Sequence, residues 1–271
     1  MSTETYLEWL RRQGFQIQKS PSSWWYNAGP SVFQAFPYHW LITPSEAELN
    51  TLMTGSRAIG LRYSTPITAG EGMVSYHVVL HNPYSLELLR PQARNGVKKG
   101  SNFFTVERIP FERLADEGWK LQQDTMSRQG RQTCMTAAQW KNLCLAASNL
   151  PDFEAWAAVC DGALGAAQIT ARVEDKIYVP YAASRSDCLN QHVNNVLFFK
   201  ASMSFLARPG INGIFFGLHS LDAPPSVDEF KIRMSIIPMP VRQRVCFHPF
   251  VKPLVNHWSF ALLQFLARKF P

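Results

Sequence analysis

The chain has 271 residues, 46% of them apolar, which is enough to bury one large core or two packed halves and excludes a disordered or fibrous protein. Its formal charge of +7 is unevenly placed: Lys231, Arg233, Arg242, Arg244, Lys252, Arg268 and Lys269 occur without an Asp or Glu from residue 231 to the end, and the rest of the chain is balanced. Five scattered cysteines (Cys134, Cys144, Cys160, Cys188 and Cys246) form no CxxC pair, which argues against a disulfide framework and for a reducing compartment.

The N-terminal stretch, residues 1–15, has early acids and no apolar run before a small-residue cleavage site, so it lacks the form of a signal peptide and a cytoplasmic location is expected. Ser22–Tyr26 and Ser31–Phe36 flank a turn at Asn27 to Pro30 and read as an aromatic-rich hairpin. Thr43-Pro44-Ser45-Glu46 opens a short helix with Leu49, Leu52 and Met53 on one face. Strands Ala58–Ser64 and Met73–Leu80 follow. From Ser85 to Gly100 the pattern is helical, with Pro91 either starting a new helix or kinking the old one.

Strand Phe103–Ile109 leads through Pro110 into a helix carrying Phe111, Leu114, Gly118 and Leu121. The 128–133 loop is the expected boundary between two domains, 1–131 and 132–271. Beyond it, Thr136 and Gln139 form a capping-box pattern, because each side chain can satisfy the other's free backbone amide.

Three strands, Phe153–Cys160, Ala163–Val173 and Lys176–Ser184, are joined by the short turns Asp161-Gly162 and Glu174-Asp175 and predict an antiparallel meander. A helix with Val196, Phe199, Met203 and Leu206 on one face stops at Pro209-Gly210. Strand Ile211–Leu218, a helix from Val227 to Met234 and strand Ile236–His248 complete the order β-β-β-α-β-α-β. The apolar tract Leu254–Leu266 is shorter than the roughly 20 residues of a spanning helix, so no transmembrane segment is expected.

The stretch from Phe216 to Met234 carries the chemistry. Pro224 and Pro225 impose an extended approach and Ser226 with Glu229 forms a capping box, so Phe230 and Lys231 fall in the second turn of a short helix. A cation fixed in this way can face the oxyanion that develops when an amine attacks an acyl group. A strand reaching Gly217, a Ser220-Leu221 turn and a helix bearing Phe230-Lys231 resemble the GNAT-like transferases of the Fem type, in which the Phe-Lys pair lines the acyl-transfer channel. Leu61 to Pro66, Arg90 to Gly100 with Val106-Glu107-Arg108, and Thr125 to Arg131 fit the same family, and the likeness spans residues 22–250.

The resemblance implies an α/β GNAT-like fold, a mixed and largely antiparallel sheet flanked by helices, built as two GNAT-like halves packed together. It implies an acyltransferase moving an aminoacyl or acyl group to a small-molecule or peptide amine, with aminoacyl-tRNA or acyl-CoA as co-substrate and no tightly bound cofactor. Two departures stand out. Ser235 replaces the family's glycine after the helix, and, as in Fem-type relatives, the phosphate-cradling glycines of CoA-dependent GNAT enzymes are missing between Ser184 and Val196. Backbone amides must approach a pyrophosphate closely at a helix N-terminus, so their absence disfavours acetyl-CoA. Fem-type enzymes use aminoacyl-tRNA, with which the basic C-terminal segment is compatible.

The expected catalytic residues are therefore Lys231 and Phe230, with His219 placed to accept a proton from the amine and Tyr181 placed near the leaving group. Arg94, Lys98, Arg185, Asn194, Asn195 and Ser220 are the expected substrate- or phosphate-binding residues, Arg94 and Lys98 sharing a helix face four residues apart. Asn194 and Asn195 are equally suited to cap the helix that follows. His77 and His81 lie on a strand pattern without a completing Cys or acid, so no metal is expected. A CoA-dependent N-acetyltransferase and a non-catalytic binding protein on the same scaffold are the alternatives.

Overall fold

The computed structural model describes residues 2–29, 31–131, 135–218 and 225–251. It divides into two compact units, the first made of residues 1–9 and 78–238 and the second of 10–77 and 239–271. The chain thus leaves and re-enters each unit, and the 131/132 position falls inside the first. In each unit helices pack on strands.

The second unit is a mixed sheet. Strand β1 (Ile17–Lys19) pairs antiparallel with β2 (Trp24–Gly29), and β2 pairs antiparallel with β3 (Val32–Phe36), so the expected hairpin is present with its strands shifted towards the turn. Strand β4 (Gly60–Thr65) runs parallel to β3, and β11 (Ile237–Phe247) runs antiparallel to β4. Helix α2 (Glu46–Ser56) begins one residue after Ser45, whose hydroxyl accepts from the Glu48 amide. It buries Leu49, Leu52 and Met53 against Trp25, Phe33, Leu61 and Tyr63. Because strand side chains alternate, Arg62 and Ser64 lie on the face of β4 turned away from α2.

The first unit opens with α1 (Ser2–Arg12), a helix the sequence reading did not anticipate, whose Tyr6, Leu7 and Trp9 are almost wholly buried. Its sheet contains the expected meander: β7 (Phe153–Cys160), β8 (Ala163–Val173) and β9 (Lys176–Ser184) are antiparallel neighbours, β6 (Thr105–Ile109) pairs antiparallel with β7, and β10 (Gly213–Leu218) lies parallel to β9. Asp161 and Gly162 both have positive φ, 49° and 77°, the twist that matches a tight hairpin turn. β5 (Met73–Leu80) is shared between the units.

Helix α4 (Phe111–Arg128) and helix α5 (Ala137–Ala147) pack on one face of this sheet. Both bonds of the Thr136–Gln139 capping box are present at the start of α5. Trp9 of α1 donates to the Leu143 carbonyl at 3.1 Å, tying α1 to the same layer. On the opposite face lie α3 (Pro91–Gly100) and α6 (Val193–Leu206). Pro91 starts a new helix after a single 3-10 turn at Leu86–Leu88, which settles the alternative left open by the sequence. The buried stripe of α6 is Val193, Leu197, Ala201 and Phe205 with Val196 and Leu206, whereas Met203 is exposed, because the sheet and α3 together enclose a wider arc than the expected stripe.

Candidate active site

Helix α7 (Pro225–Arg233) carries Phe230 and Lys231. It begins at Pro225, so Ser226 lies within its first turn instead of capping it, and the fixed φ of Pro225 suits the opening position. Phe230 packs edge-on against Phe198 of α6, with ring centroids 5.7 Å apart, and Phe198 stacks on Phe216 of β10 at 4.7 Å. An aromatic pair of this kind adds about 0.5–1.5 kcal/mol to simple burial, so Phe230 anchors α7 to the core of the first unit. Lys231 is half-buried on the same turn.

The end of α7 is held just as firmly. Met234 is fully buried, and the amides of Met234 and Ile236 both donate to the Lys231 carbonyl, at 3.1 and 3.0 Å. Ser235 occupies the left-handed region, φ 63°, a conformation that glycine adopts more readily. Its hydroxyl donates to the Leu88 carbonyl at 2.7 Å. The serine therefore makes the same reversal a glycine would, and a hydrogen bond worth about 1 kcal/mol offsets a strain of about the same size. Arg233 donates to the Gln92 side chain at 2.9 Å and accepts from the Arg90 amide at 3.3 Å, joining α7 to the start of α3.

The expected phosphate ligands are spread along this face. The Arg94 guanidinium donates to the Glu87 and Leu89 carbonyls at 2.8 and 3.2 Å, closing the 3-10 turn, while Lys98 four residues on is exposed. Asn195 donates to the Met234 sulfur at 3.5 Å and so links α6 to the end of α7. Neither asparagine caps α6: the cap position is His192, in the left-handed region, and no side chain bonds the helix amides there.

The first turn of α6, where a CoA pyrophosphate would need to approach, is enclosed. Gly96 and Gly100 let α3 lie across it, since a Cβ at Gly96 would stand 3.0 Å from Asn195 and one at Gly100 3.0 Å from the His192 carbonyl. Two carboxylates, Asp187 of the preceding loop and Asp124 of α4, lie there beside Arg185 and Arg128. Asp124 accepts from the Ser186 amide at 2.6 Å and from its hydroxyl, and Arg185 is paired with Asp187. Hydrogen bonds from Ser186 lower the Asp124 pKa, and the Arg185 hydrogen bond lowers that of Asp187, so both stay ionised. Arg128, which sequence reasoning did not single out, completes this cluster through Ser184 and Ser186. Its signal was only spacing, Asp124 to Arg128 at helical i,i+4.

Tyr181 is not gathered with Lys231. It packs edge-on against Trp140 of α5 at 6.0 Å, and Tyr178 is buried between Tyr6 and Phe215, so both tyrosines lie on the α1, α4 and α5 side of the sheet. His219 and Ser220 lie outside the described residues, as do Cys134 and the 254–266 tract. His81 donates to the Asn212 carbonyl, 3.3 Å away, and His77 pairs with Ser64 at 2.9 Å. Among the described residues no helix is long and apolar enough to cross a membrane.

No family model matches the sequence, and no curated protein matches it. Solved structures do. FemX superposes with a TM-score of 0.63 at 10% identity, over 92% of this chain and 93% of its own. The C-terminal domain of a putative lysylphosphatidylglycerol synthetase from Agrobacterium fabrum gives 0.60 at 10% identity, over 97% and 90%. A GCN5-related N-acetyltransferase from Kribbella flavida gives 0.51 at 10% identity, over 96% and 98%. The chain therefore has the GNAT-type fold that these proteins share, a mixed and largely antiparallel sheet with helices on it.

Proposed function

We propose that the chain is an acyltransferase in which a substrate amine attacks the carbonyl of an activated aminoacyl or acyl donor. The amine nitrogen bonds to the carbonyl carbon, the tetrahedral oxyanion collapses, and the donor's ester or thioester bond breaks to release a hydroxyl or thiol. Lys231 faces the developing oxyanion and Phe230 walls the channel beside it. The observation that carries this reading is the rigidity of α7: a cation on a helix pinned at Phe198, Leu88, Gln92 and Asn195 loses little on meeting the transition-state charge.

The enclosed first turn of α6 favours aminoacyl-tRNA over acyl-CoA as the donor, because α3 lies across the space a pyrophosphate would need. That one similar structure belongs to a protein named for making lysylphosphatidylglycerol supports an aminoacyl passenger. The acceptor would be a small-molecule or peptide amine.

The full chain, incubated with a mixture of radiolabelled aminoacyl-tRNAs or with a panel of acyl-CoA esters and a set of amines, should transfer label from the former. Lys231→Ala should then slow transfer about a hundredfold, some 3 kcal/mol of transition-state stabilisation, while Arg233→Ala changes it little. Equal small effects of the two variants would remove Lys231 from the mechanism, and transfer from acyl-CoA alone would reassign the donor.

A further inference from the structure

The sheet of the second unit has one apolar face, against α2, and one polar face that the acyl-transfer reading does not use. Across β2, β3, β4 and β11 the register places Tyr26, Gln34, Arg62 and Val245 in one row. The next row holds Ser64 opposite Gln243. Ser64 and His77 are each 4% exposed and Gln34 7%, so these polar groups are buried within the fold, whereas Arg62 in the same rows reaches solvent. The Gln243 amide donates to the Ser64 hydroxyl at 2.6 Å, and the same hydroxyl pairs with His77 at 2.9 Å.

Arg62 stands out on it. Among the described residues no carboxylate, carbonyl or hydroxyl oxygen comes within ion-pair or hydrogen-bond distance of its guanidinium, while every surface arginine of the neighbouring strand β11 is engaged: Arg244 by Glu46 and Glu71, Arg242 by two carbonyls. Arg62 lies within electrostatic reach of Tyr26 and Tyr38, whose neutral hydroxyls bond each other at 2.7 Å. The side chain is open to solvent yet crowded by protein, and partial burial pushes its pKa below the ordinary arginine value.

We infer that this face is an oxyanion site, where the Arg62 guanidinium, rimmed by the Tyr26–Tyr38 pair, takes a phosphate or carboxylate group of a ligand. A planar guanidinium offers two parallel N–H groups to either anion, and a cation that is partly desolvated without a counter-charge gains more from such a partner than a fully hydrated one. The site lies within one unit and does not depend on Lys231.

The full chain, labelled with nitrogen-15 arginine, should be titrated with pyrophosphate and separately with succinate while the Nε–H resonance lost in Arg62→Gln is followed. A saturable shift of that resonance is expected, with affinity weakened roughly ten- to hundredfold in Arg62→Gln and a few-fold in Tyr26→Phe. The tighter of the two anions names the group the site takes. If Arg62→Gln does not fold, Arg62→Lys, which keeps the charge and loses the two-pronged geometry, should still weaken binding. Lys231→Ala should leave the titration unchanged, so the result stands apart from the transfer assay. Absence of saturation with both anions, equal affinity in the Arg62 variants, or loss of binding in Lys231→Ala would each overturn the site.

Discussion

The strands of the two units are put to different uses. In the first unit β8 is buried over nearly its whole length, between α6 on one side and α4 on the other, and its interior polar residues, Gln168 and Thr170, are 5% and 2% exposed. A sheet covered twice has no surface of its own, and the residues proposed for acyl transfer lie instead on the helix α7 and the helix ends that hold it. In the second unit β4 gives one face to α2 and keeps Arg62 and Ser64 on the other. There Arg62, on the strand itself, is the group proposed to meet a ligand. The covered sheet acts as a mount, and the half-covered sheet as a surface.

Truncating the mount should have the largest effect. Phe205 is 1% exposed and meets Trp156 edge-on at 5.4 Å, so Phe205→Ala should cost about 3–5 kcal/mol in equilibrium denaturation of the full chain. A cost under about 1 kcal/mol would mean that the covered sheet is far more loosely packed than its burial implies.

The half-covered sheet should instead show itself through pH. Burial first, and the neighbouring His39 second, push the His77 pKa down from 6.5 to about 4. The unfolded chain therefore binds this proton at higher pH than the folded one, and stability should be complete above about 6.5 and fall as pH drops toward 4. The loss should be about 2–3 kcal/mol. Denaturation midpoints measured across that window should be flatter in His77→Gln, and an unchanged slope would place the pH response elsewhere.

Smaller effects should separate anchor from chemistry on α7. Ser235→Ala forfeits the bond to Leu88 while keeping the left-handed backbone and should lose about 1 kcal/mol, whereas Ser235→Gly relieves the strain as it loses the bond and should be close to neutral. Smallest of all, Lys231→Ala should shift thermal stability by less than about 0.5 kcal/mol. A large shift there would make Lys231 part of the mount and weaken its assignment to the oxyanion.

The sequence by itself determined the elements whose signals are local: the β7–β8–β9 meander with its Asp161-Gly162 turn, the capping box of α5, the new helix at Pro91, and the position of Phe230-Lys231 in the second turn of a short helix. Each depends on a few residues within one or two turns of chain, where backbone sterics and neighbouring hydrogen bonds dominate. Only the tertiary structure decided which groups meet. Tyr178 and Tyr181, three apart, would face opposite ways on a regular strand, but the register shift opposite Ile169 to Ala171 turns both toward α1, α4 and α5, away from Lys231. Asn195 was expected as a cap or ligand and instead holds Met234, 39 residues away. The row of Tyr26, Gln34 and Arg62 exists only once β2, β3 and β4 are in register, since a one-residue slip would send Arg62 to the apolar face. Pairing partners are set by the burial of distant apolar faces, a property of the whole chain that no local pattern of residues carries.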